Sequence, residues 1–498
     1  MEEIIKKDSY VIYNGSMLDM LDVVEKESVD SVITDPPYHL KSISERFGKE
    51  NSAEPQFGKD GSFNRLSKGF MGKVWDGGDI SFNPDTWEKC FEVLKPGGYL
   101  LAFGGSRTFH RIAVAIEDAG FEIRDTIMWI YGSGFPKSMN ISKSIEAKEK
   151  YGKSNTVVKR VVEQEGNGKA YSIKQTNNGA MGEIVETIRK HYSPNSALAQ
   201  QYKGWGTTLK PAYEPIIVAR KPFNSSVAEN IIKYGVGGIN IDECRVDYNG
   251  EIPNVGGRGK HTRGEGYGFR ALGESVEANN LGRFPANVIH DGSEEVIQGF
   301  PSGGKNGSIS RPYKINNQVY GDYGYCNKWD AYQDSGSTSR YFYQAKASKK
   351  DRDAGLEVAG FEEKTTGELQ GGRKEGSAGS VMKDENGERL NPYAGSGSVK
   401  KNIHPTVKPC ELMQYLVRLV SPKGATILDP FMGSGSTGKA IMFENRERNA
   451  NYKFIGIDLE KEYCEIANAR IDYALNKYEY DLEQEIKKAE KLGQLRLF

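Results

Sequence analysis

The sequence predicts an α/β fold built around a mainly parallel sheet. Strand–helix–strand alternation recurs in two blocks, over residues 1–138 and 403–475. A buried-strand pattern, Val29-Asp30-Ser31-Val32-Ile33-Thr34, breaks off abruptly at Asp35-Pro36-Pro37-Tyr38. A second short strand, over residues 426–428, runs directly into a glycine-rich turn and a helix start.

Taken in order, the first block holds that leading strand, a helix over residues 86–94 and a turn at Lys95-Pro96-Gly97-Gly98. A strand over 99–103, a helix over 109–119 closed by Gly120, and a strand over 122–129 follow. Residues 139–203 are polar and rich in Lys and Asn, as expected of an inserted segment. An apolar strand at Tyr213–Arg220, within a 204–223 stretch, returns the chain to the sheet. Residues 224–360 carry many Gly and Asn turn signals, and 361–402 (GELQGGRKEGSAGS, YAGSGS) read as a flexible loop or linker. The 403–475 block supplies helix, strand, Gly-rich turn, helix, strand and helix, and 476–498 form an amphipathic helix and tail. There is no internal repeat.

A chain of 498 residues suggests two or three domains. Its 37% hydrophobic content, with no apolar run of eighteen residues, excludes a polytopic membrane protein. MEEIIKKDSY has no apolar core behind its charges, so no signal peptide is expected. The five cysteines (Cys90, Cys244, Cys326, Cys410, Cys464) are scattered and form no CxxC pair. They imply reduced thiols in a cytoplasmic protein, with neither a disulfide framework nor a zinc site.

Lys and Arg total 67, as do Asp and Glu, for a formal net charge of zero. The balance is uneven: residues 139–352 hold 30 Lys+Arg against 22 Asp+Glu, a surplus of eight cations that the remainder offsets. Aromatic residues crowd the 313–343 stretch of this basic middle. Basic residues interleaved with aromatics suit phosphate contact and base stacking. The same pattern also fits a loop-rich domain whose aromatics make a small core.

The turn Asp429-Pro430-Phe431-Met432-Gly433-Ser434-Gly435-Ser436-Thr437 lets backbone approach a ligand closely at a helix N-terminus. The next strand ends at Gly456-Ile457-Asp458, where a carboxylate can accept from ribose hydroxyls. A phosphate-binding loop is the rival, since Gly433–Lys439 fits its spacing. Ala440 stands where that motif needs Ser or Thr, and Asp429 would face the phosphates. A nucleoside bearing a positive or zwitterionic group fits better.

At the other turn, the Asp35 carboxylate and the Pro36 carbonyl can both accept from an exocyclic amino group, making its nitrogen more nucleophilic. Pro37 helps fix the backbone, and Tyr38 offers a flat face for a base. Alone, the four residues fit a plain strand-ending turn equally well.

Together, DPPY and DPFMGSGST resemble the S-adenosylmethionine-dependent amino-methyltransferases of DNA, and their order is that of the beta class. Asn14-Gly15-Ser16-Met17-Leu18-Asp19 and His404-Pro405-Thr406-Val407-Lys408-Pro409 are similar to its adenine-contacting and methionine-covering segments. The segments starting at Phe70 (FMGKVWD), Leu209 (LKPAYEP) and Gly282 (GRFPAN) are similar to phage-type members. The Asn449-Ala450-Asn451-Tyr452 stretch departs from the pattern by lengthening the path to the Asp458 strand.

The resemblance implies a Rossmann-like class I methyltransferase mixed sheet, circularly permuted in motif order, with an inserted target-recognition region over 224–360. It implies catalytic Asp35, Pro36, Pro37 and Tyr38, and S-adenosylmethionine held by Asp19, Thr406, Lys408, Asp429, Phe431, Gly433, Gly435, Ser436, Thr437 and Asp458. DPPY rather than SPPY implies methylation of adenine N6 in double-stranded DNA, with the base flipped out onto Tyr38, in restriction-modification, phage or epigenetic marking. N4-cytosine methylation, or a non-catalytic DNA-binding module with a degenerate cofactor site, are the alternatives. No metal is expected. No Cys lies near DPPY, which disfavours cysteine-nucleophile chemistry, and His39 is left outside the catalytic set.

The basic middle then becomes the DNA-recognition region, with Arg245, Arg258, Lys260, Arg263, Arg283, Arg311, Lys314, Arg340 and Lys346 as candidate contacts. A homodimer is expected from the resemblance alone. The tail Gln494-Leu495-Arg496-Leu497-Phe498 resembles the pentapeptide that docks bacterial proteins on the polymerase sliding clamp; a helix end packed on its own domain is the plainer reading.

Overall fold

The structure, a computed structural model, describes residues 2–38, 79–134, 138–152, 169–174, 183–188, 194–248, 260–263, 269–272, 281–303, 316–317, 321–322, 336–345, 348–361 and 401–477. Two units are distinguished: residues 133–212, and the remainder of the chain on either side.

The larger unit is organised by a ten-stranded sheet. In chain order its strands are β1 (Glu2–Lys6), β2 (Tyr10–Asn14), β3 (Val29–Thr34), β4 (Leu94–Phe103), β5 (Glu122–Ile130), β6 (Tyr213–Arg220), β7 (Val288–His290), β8 (Tyr343–Gln344), β9 (Thr426–Asp429) and β10 (Lys453–Asp458). Their spatial order is β1-β2-β10-β9-β3-β4-β6-β5-β7-β8. Strands β2, β10, β9, β3 and β4 run parallel; β6 lies antiparallel between β4 and β5, and β1 is antiparallel at the edge. This is a mixed sheet, as the resemblance implied.

Helices cover both faces, as parallel strands with apolar residues on both sides require. On one face pack α1 (Met17–Met20), α2 (Pro84–Val93) and α3 (Phe109–Asp118), with Val32, Leu100, Ala102 and Leu428 beneath them. On the other pack α4 (Cys410–Val420), α5 (Ser436–Arg448) and α6 (Lys461–Leu475), over Ile33, Leu101, Phe103 and Ile427. Neighbouring residues such as Val32 and Ile33 feed opposite cores because side chains alternate along a strand.

The chain leaves β9 through α5 to β10 on one side, and reaches β4 from β3 on the other. Adjacent β9 and β3 therefore diverge at their carboxyl ends, making the topological switch point where α/β sheets bind ligands. Both marked turns begin there, immediately after Thr34 and at Asp429.

Several expected elements differ in detail. The helix expected over 86–94 begins earlier, because the Asn83 side chain accepts from the Asp85 amide and Pro84 takes the first helical position. The expected Lys95–Gly98 turn is an irregularity inside β4. Pairing jumps from Val29↔Leu94 to Ser31↔Tyr99, while Gly97 and Gly98 exchange hydrogen bonds with Lys221 (3.0 and 2.9 Å). The 449–452 departure is an ordered connection. Asn449 and Asn451 take left-handed φ values of 51° and 56°, and the Asn445 side chain bonds both the amide and the carbonyl of Tyr452. It delivers β10 in register, Asp429 opposite Gly456, so Asp458 reaches the sheet edge.

Strands β7 and β8 come from the 224–360 region, so part of it extends the central sheet. The unit 133–212 contains a helix, Ile141–Tyr151, capped by Asn140 and closed at Gly152. An antiparallel ribbon pairs Lys169–Lys174 with Glu183–Ile188, and the Ser142 hydroxyl donates to the Ala199 carbonyl at 2.6 Å. Among the described residues no helix is long and apolar enough to cross a membrane. Cys90, Cys244, Cys410 and Cys464 are buried free thiols; Cys326 lies outside the described residues.

Candidate active site

A cavity of about 540 Å³ opens at the switch point, within the size range of small-molecule sites. Both marked turns line it: Asp35, Pro36, Pro37 and Tyr38 on one side, and Asp429 to Ser434 with Ser436, Thr437 and Asp458 on the other.

The Asp429 carboxylate folds the glycine-rich turn around itself. Oδ2 accepts from the Thr437 hydroxyl at 2.5 Å and Oδ1 from the Phe431 amide at 3.2 Å. Asp458 joins that turn to its own loop, accepting from the Gly433 amide at 2.8 Å and the Glu460 amide at 2.9 Å. Burial pushes the carboxyls of Asp429 and Asp458 up to about 6 and about 7, against the hydrogen bonds that favour their anions. The Asn14 side chain and the Gly15 amide bond the Asp458 carbonyl, bringing Gly15, Ser16 and Met17 to the cavity wall.

Beneath the turn, fully buried Arg470 donates to the carbonyl (2.5 Å) and hydroxyl (3.0 Å) of Ser434. Lys439, which the phosphate-loop reading would direct at a ligand, is buried and donates to Asp351 Oδ1 at 2.7 Å. That ion pair removes the main support for the rival reading.

At the other turn, Asp35 Oδ1 accepts from the Tyr38 hydroxyl at 2.6 Å and Oδ2 from Lys408 Nζ at 2.6 Å. Lys408 Nζ also lies 3.2 Å from Glu214 Oε2 and 3.2 Å from the Tyr38 oxygen. Burial opposes the charge of Lys408, but Asp35 and Glu214 outweigh it and hold the ammonium pKa above its ordinary value. Burial, then the charges of Asp35 and Glu214, keeps the Tyr38 phenol protonated far above its ordinary range. Behind the turn, the Ser81 hydroxyl donates to the Pro37 carbonyl at 2.7 Å and Trp87 donates to the Ser81 carbonyl at 3.0 Å. The Tyr38 ring rests on Gly105, where a Cβ would stand 3.2 Å from it.

Of the cofactor residues expected from sequence, Thr406, Lys408, Asp429, Phe431, Gly433, Ser436, Thr437 and Asp458 line the cavity. Lys408, expected over the cofactor, lines the cavity and is also paired to the DPPY turn, its long side chain crossing to Asp35. Asp19 is exposed in the first turn of α1 and does not line the cavity. Gly435 lies outside the lining as well: its φ is 74°, and a Cβ there would meet Ala467 Cβ at 2.8 Å, so it lets α5 pack on α6.

His404, Glu460, Tyr463, Asp79 and Ile80 also line the wall, unforeseen from sequence as site residues. Burial lowers the His404 pKa to about 4, leaving a neutral ring whose Nδ1 bonds the Thr406 carbonyl at 2.8 Å. The one sequence signal for Glu460 was its place two residues beyond Asp458.

Of the DNA candidates, Arg283 lies over the rings of Tyr248 (4.9 Å) and Tyr341 (4.7 Å). Arg340 also lies over Tyr341, at 4.8 Å, and Arg245 pairs with Asp242 at 2.7 Å beside Phe284. Lys260 and Arg263 belong to a ribbon pairing Lys260–Arg263 with Phe269–Leu272. Arg258, Arg311, Lys314, Lys346, His39, the FMGKVWD segment, most of the 361–402 stretch and the tail Gln494–Phe498 lie outside the described residues.

The lining fits a nucleoside with a cationic centre. Asp429, Asp458 and Glu460 supply acceptors for hydroxyls and positive charge, and the wall at Gly433 would be filled by a Cβ standing 2.8 Å from His404. A class I sheet with such a compartment beside a DPPY turn defines a methyltransferase using S-adenosylmethionine.

Residues 29–469 match the sequence model described as DNA methylase, of the N6/N4 type. The chain belongs to this family of S-adenosylmethionine-dependent DNA amino-methyltransferases. Over 98 residues it is 36% identical to the Type II methyltransferase M2.DpnII of Streptococcus pneumoniae, covering 18% of this chain and 34% of that one. Over 249 residues it is 24% identical to the Type II methyltransferase M.HindIII of Haemophilus influenzae, covering 46% and 64%. The matched stretches thus span less than two thirds of these relatives. Among solved structures, the cytosine-N4-specific PvuII DNA methyltransferase covers 95% of this chain and 94% of its own at 12% identity and a TM-score of 0.36. At that level the likeness supports no inference.

Proposed function

We propose that the protein methylates N6 of adenine in double-stranded DNA, at a site it recognises by sequence. The observation that carries the reading is the shared cavity, in which the Asp35 carboxylate and Tyr38 ring face the compartment bounded by Asp429 and Asp458. Bound there, S-adenosylmethionine supplies an electrophilic methyl group. Asp429, Asp458, Thr437 and Thr406 hold it, and Asp35 with the Pro36 carbonyl orients the target amino group for in-line attack. A base inside a duplex cannot enter this cleft, so the adenine is flipped out and stacked on Tyr38. Asp rather than Ser before the two prolines favours adenine over cytosine, and the intact cavity argues against a non-catalytic DNA-binding module. Arg245, Arg283 and Arg340, beside their aromatic neighbours, are the proposed DNA-contacting set among the described residues. The Type II names of the relatives favour a role in restriction-modification; dimerisation and clamp docking stay expectations from resemblance.

The test is nucleoside analysis of unmethylated DNA treated with the purified protein and isotopically labelled S-adenosylmethionine. Labelled N6-methyldeoxyadenosine is expected. N4-methylcytosine in its place would overturn the adenine assignment, and no labelled base would overturn the enzymatic one.

A further inference from the structure

Glu214 has no part in the mechanism above, yet it stands close to the reacting turn. It sits near the start of β6, the antiparallel strand beside β4, and its side chain is 22% exposed. Its Oε2 is inaccessible to solvent and lacks an aligned hydrogen bond, although Lys408 Nζ is only 3.2 Å away. Lys408 meanwhile donates to Asp35 Oδ2 at 2.6 Å and is nearly buried. The charged and titratable groups facing Glu214 are Lys408, Asp35 and Tyr38, with Tyr131 at the end of β5.

This arrangement poses a competition. Lys408 occupies the Asp35 oxygen that an incoming amino group needs, and a buried ammonium cannot release one carboxylate without another to receive it. Glu214 is that second carboxylate. We propose that Glu214 is a positioning residue for methyl transfer: it takes over Lys408 when the target amino group arrives, freeing Asp35 to accept from that group. No covalent bond is made or broken by the exchange. It rests on the cavity being the methyl-transfer site, whichever base is methylated.

The experiment measures methyl transfer to unmethylated mixed-sequence DNA from labelled S-adenosylmethionine, with cofactor affinity by calorimetry and thermal midpoints alongside. Wild-type protein must methylate; if it does not, the functional reading fails rather than this one. In Glu214→Gln, kcat falls about tenfold or more while the cofactor Kd stays within about twofold. Glu214→Asp, which keeps the charge at a longer reach, restores part of the lost turnover and serves where Glu214→Gln does not fold. An unchanged kcat in Glu214→Gln, or turnover lost only in step with thermal stability and cofactor affinity, would overturn the proposal.

Discussion

Lys408 Nζ lies 2.6 Å from Asp35 Oδ2, joining residues 373 positions apart in the sequence. Both residues line the cavity, and the pair ties the 401–409 segment to the DPPY turn. Removing one partner of a nearly buried ion pair leaves an uncompensated charge. Lys408→Met is therefore expected to lower the unfolding free energy by about 3–5 kcal/mol, measured by urea denaturation. Asp35→Asn keeps the shape but weakens the acceptor, so methyl transfer is expected to fall roughly 100-fold or more with cofactor affinity retained. Near-normal turnover in Asp35→Asn would remove Asp35 from the mechanism.

The two cavity carboxyls are expected to make cofactor binding pH-dependent. Asp429 and Asp458 titrate at about 6 and about 7 because burial disfavours their anions. Raised folded-state values mean that their contribution to stability is present at low pH and is lost as pH rises through about 6 to 7. A cofactor with a sulfonium cation prefers the ionised forms, so its binding releases protons. The Kd for S-adenosylmethionine is expected to rise roughly tenfold from pH 8 to pH 5.5. Calorimetry in buffers of different ionisation enthalpy would detect the proton release. Asp458→Asn should flatten the profile; an unchanged profile would locate the dependence elsewhere.

Legibility from sequence followed the range of the signals. Val29–Thr34 and its DPPY stop were readable because a buried strand and two prolines are local features. The glycine-rich turn after Asp429 was readable for the same reason. Strands β7 and β8, of three and two residues, are too short to show periodicity, and β1 and β2 escaped notice between charged neighbours. The partner of Lys408 could not be seen at all, since an ion pair across most of the chain leaves no spacing to read. Gly435 reads as a turn glycine, but its close packing on Ala467 of α6 is a long-range contact that no spacing marks.

That contact separates two glycines of the same turn. Gly435→Ala must hold a left-handed φ of 74° and press on the Ala467 backbone, with Cα only 2.9 Å away. The expected loss is about 2–3 kcal/mol of stability, with little change in cofactor Kd for the folded fraction. Gly433→Ala directs its methyl at His404 Nε2, 2.8 Å away on the cavity wall, and is expected to weaken cofactor binding as well. Thermal midpoints with and without S-adenosylmethionine distinguish them. The cofactor-induced shift should persist in Gly435→Ala and shrink in Gly433→Ala.

Arg283 offers the sharpest test of the proposed DNA contact. Its guanidinium lies over both Tyr248 and Tyr341 and donates to the Asp247 carbonyl at 3.1 Å, so its planar head is held in one orientation. A positioned guanidinium that neutralises a phosphate contributes about one unit to the slope of log affinity against log salt. Arg283→Ala is expected to weaken binding to mixed-sequence duplex DNA and lower that slope by about one. Arg283→Lys keeps the charge but loses the planar stacking, so the slope should persist while affinity still falls. Fluorescence anisotropy across a salt series reads both quantities. A slope unchanged in Arg283→Ala would make the arginine a support for its tyrosines rather than a contact to DNA.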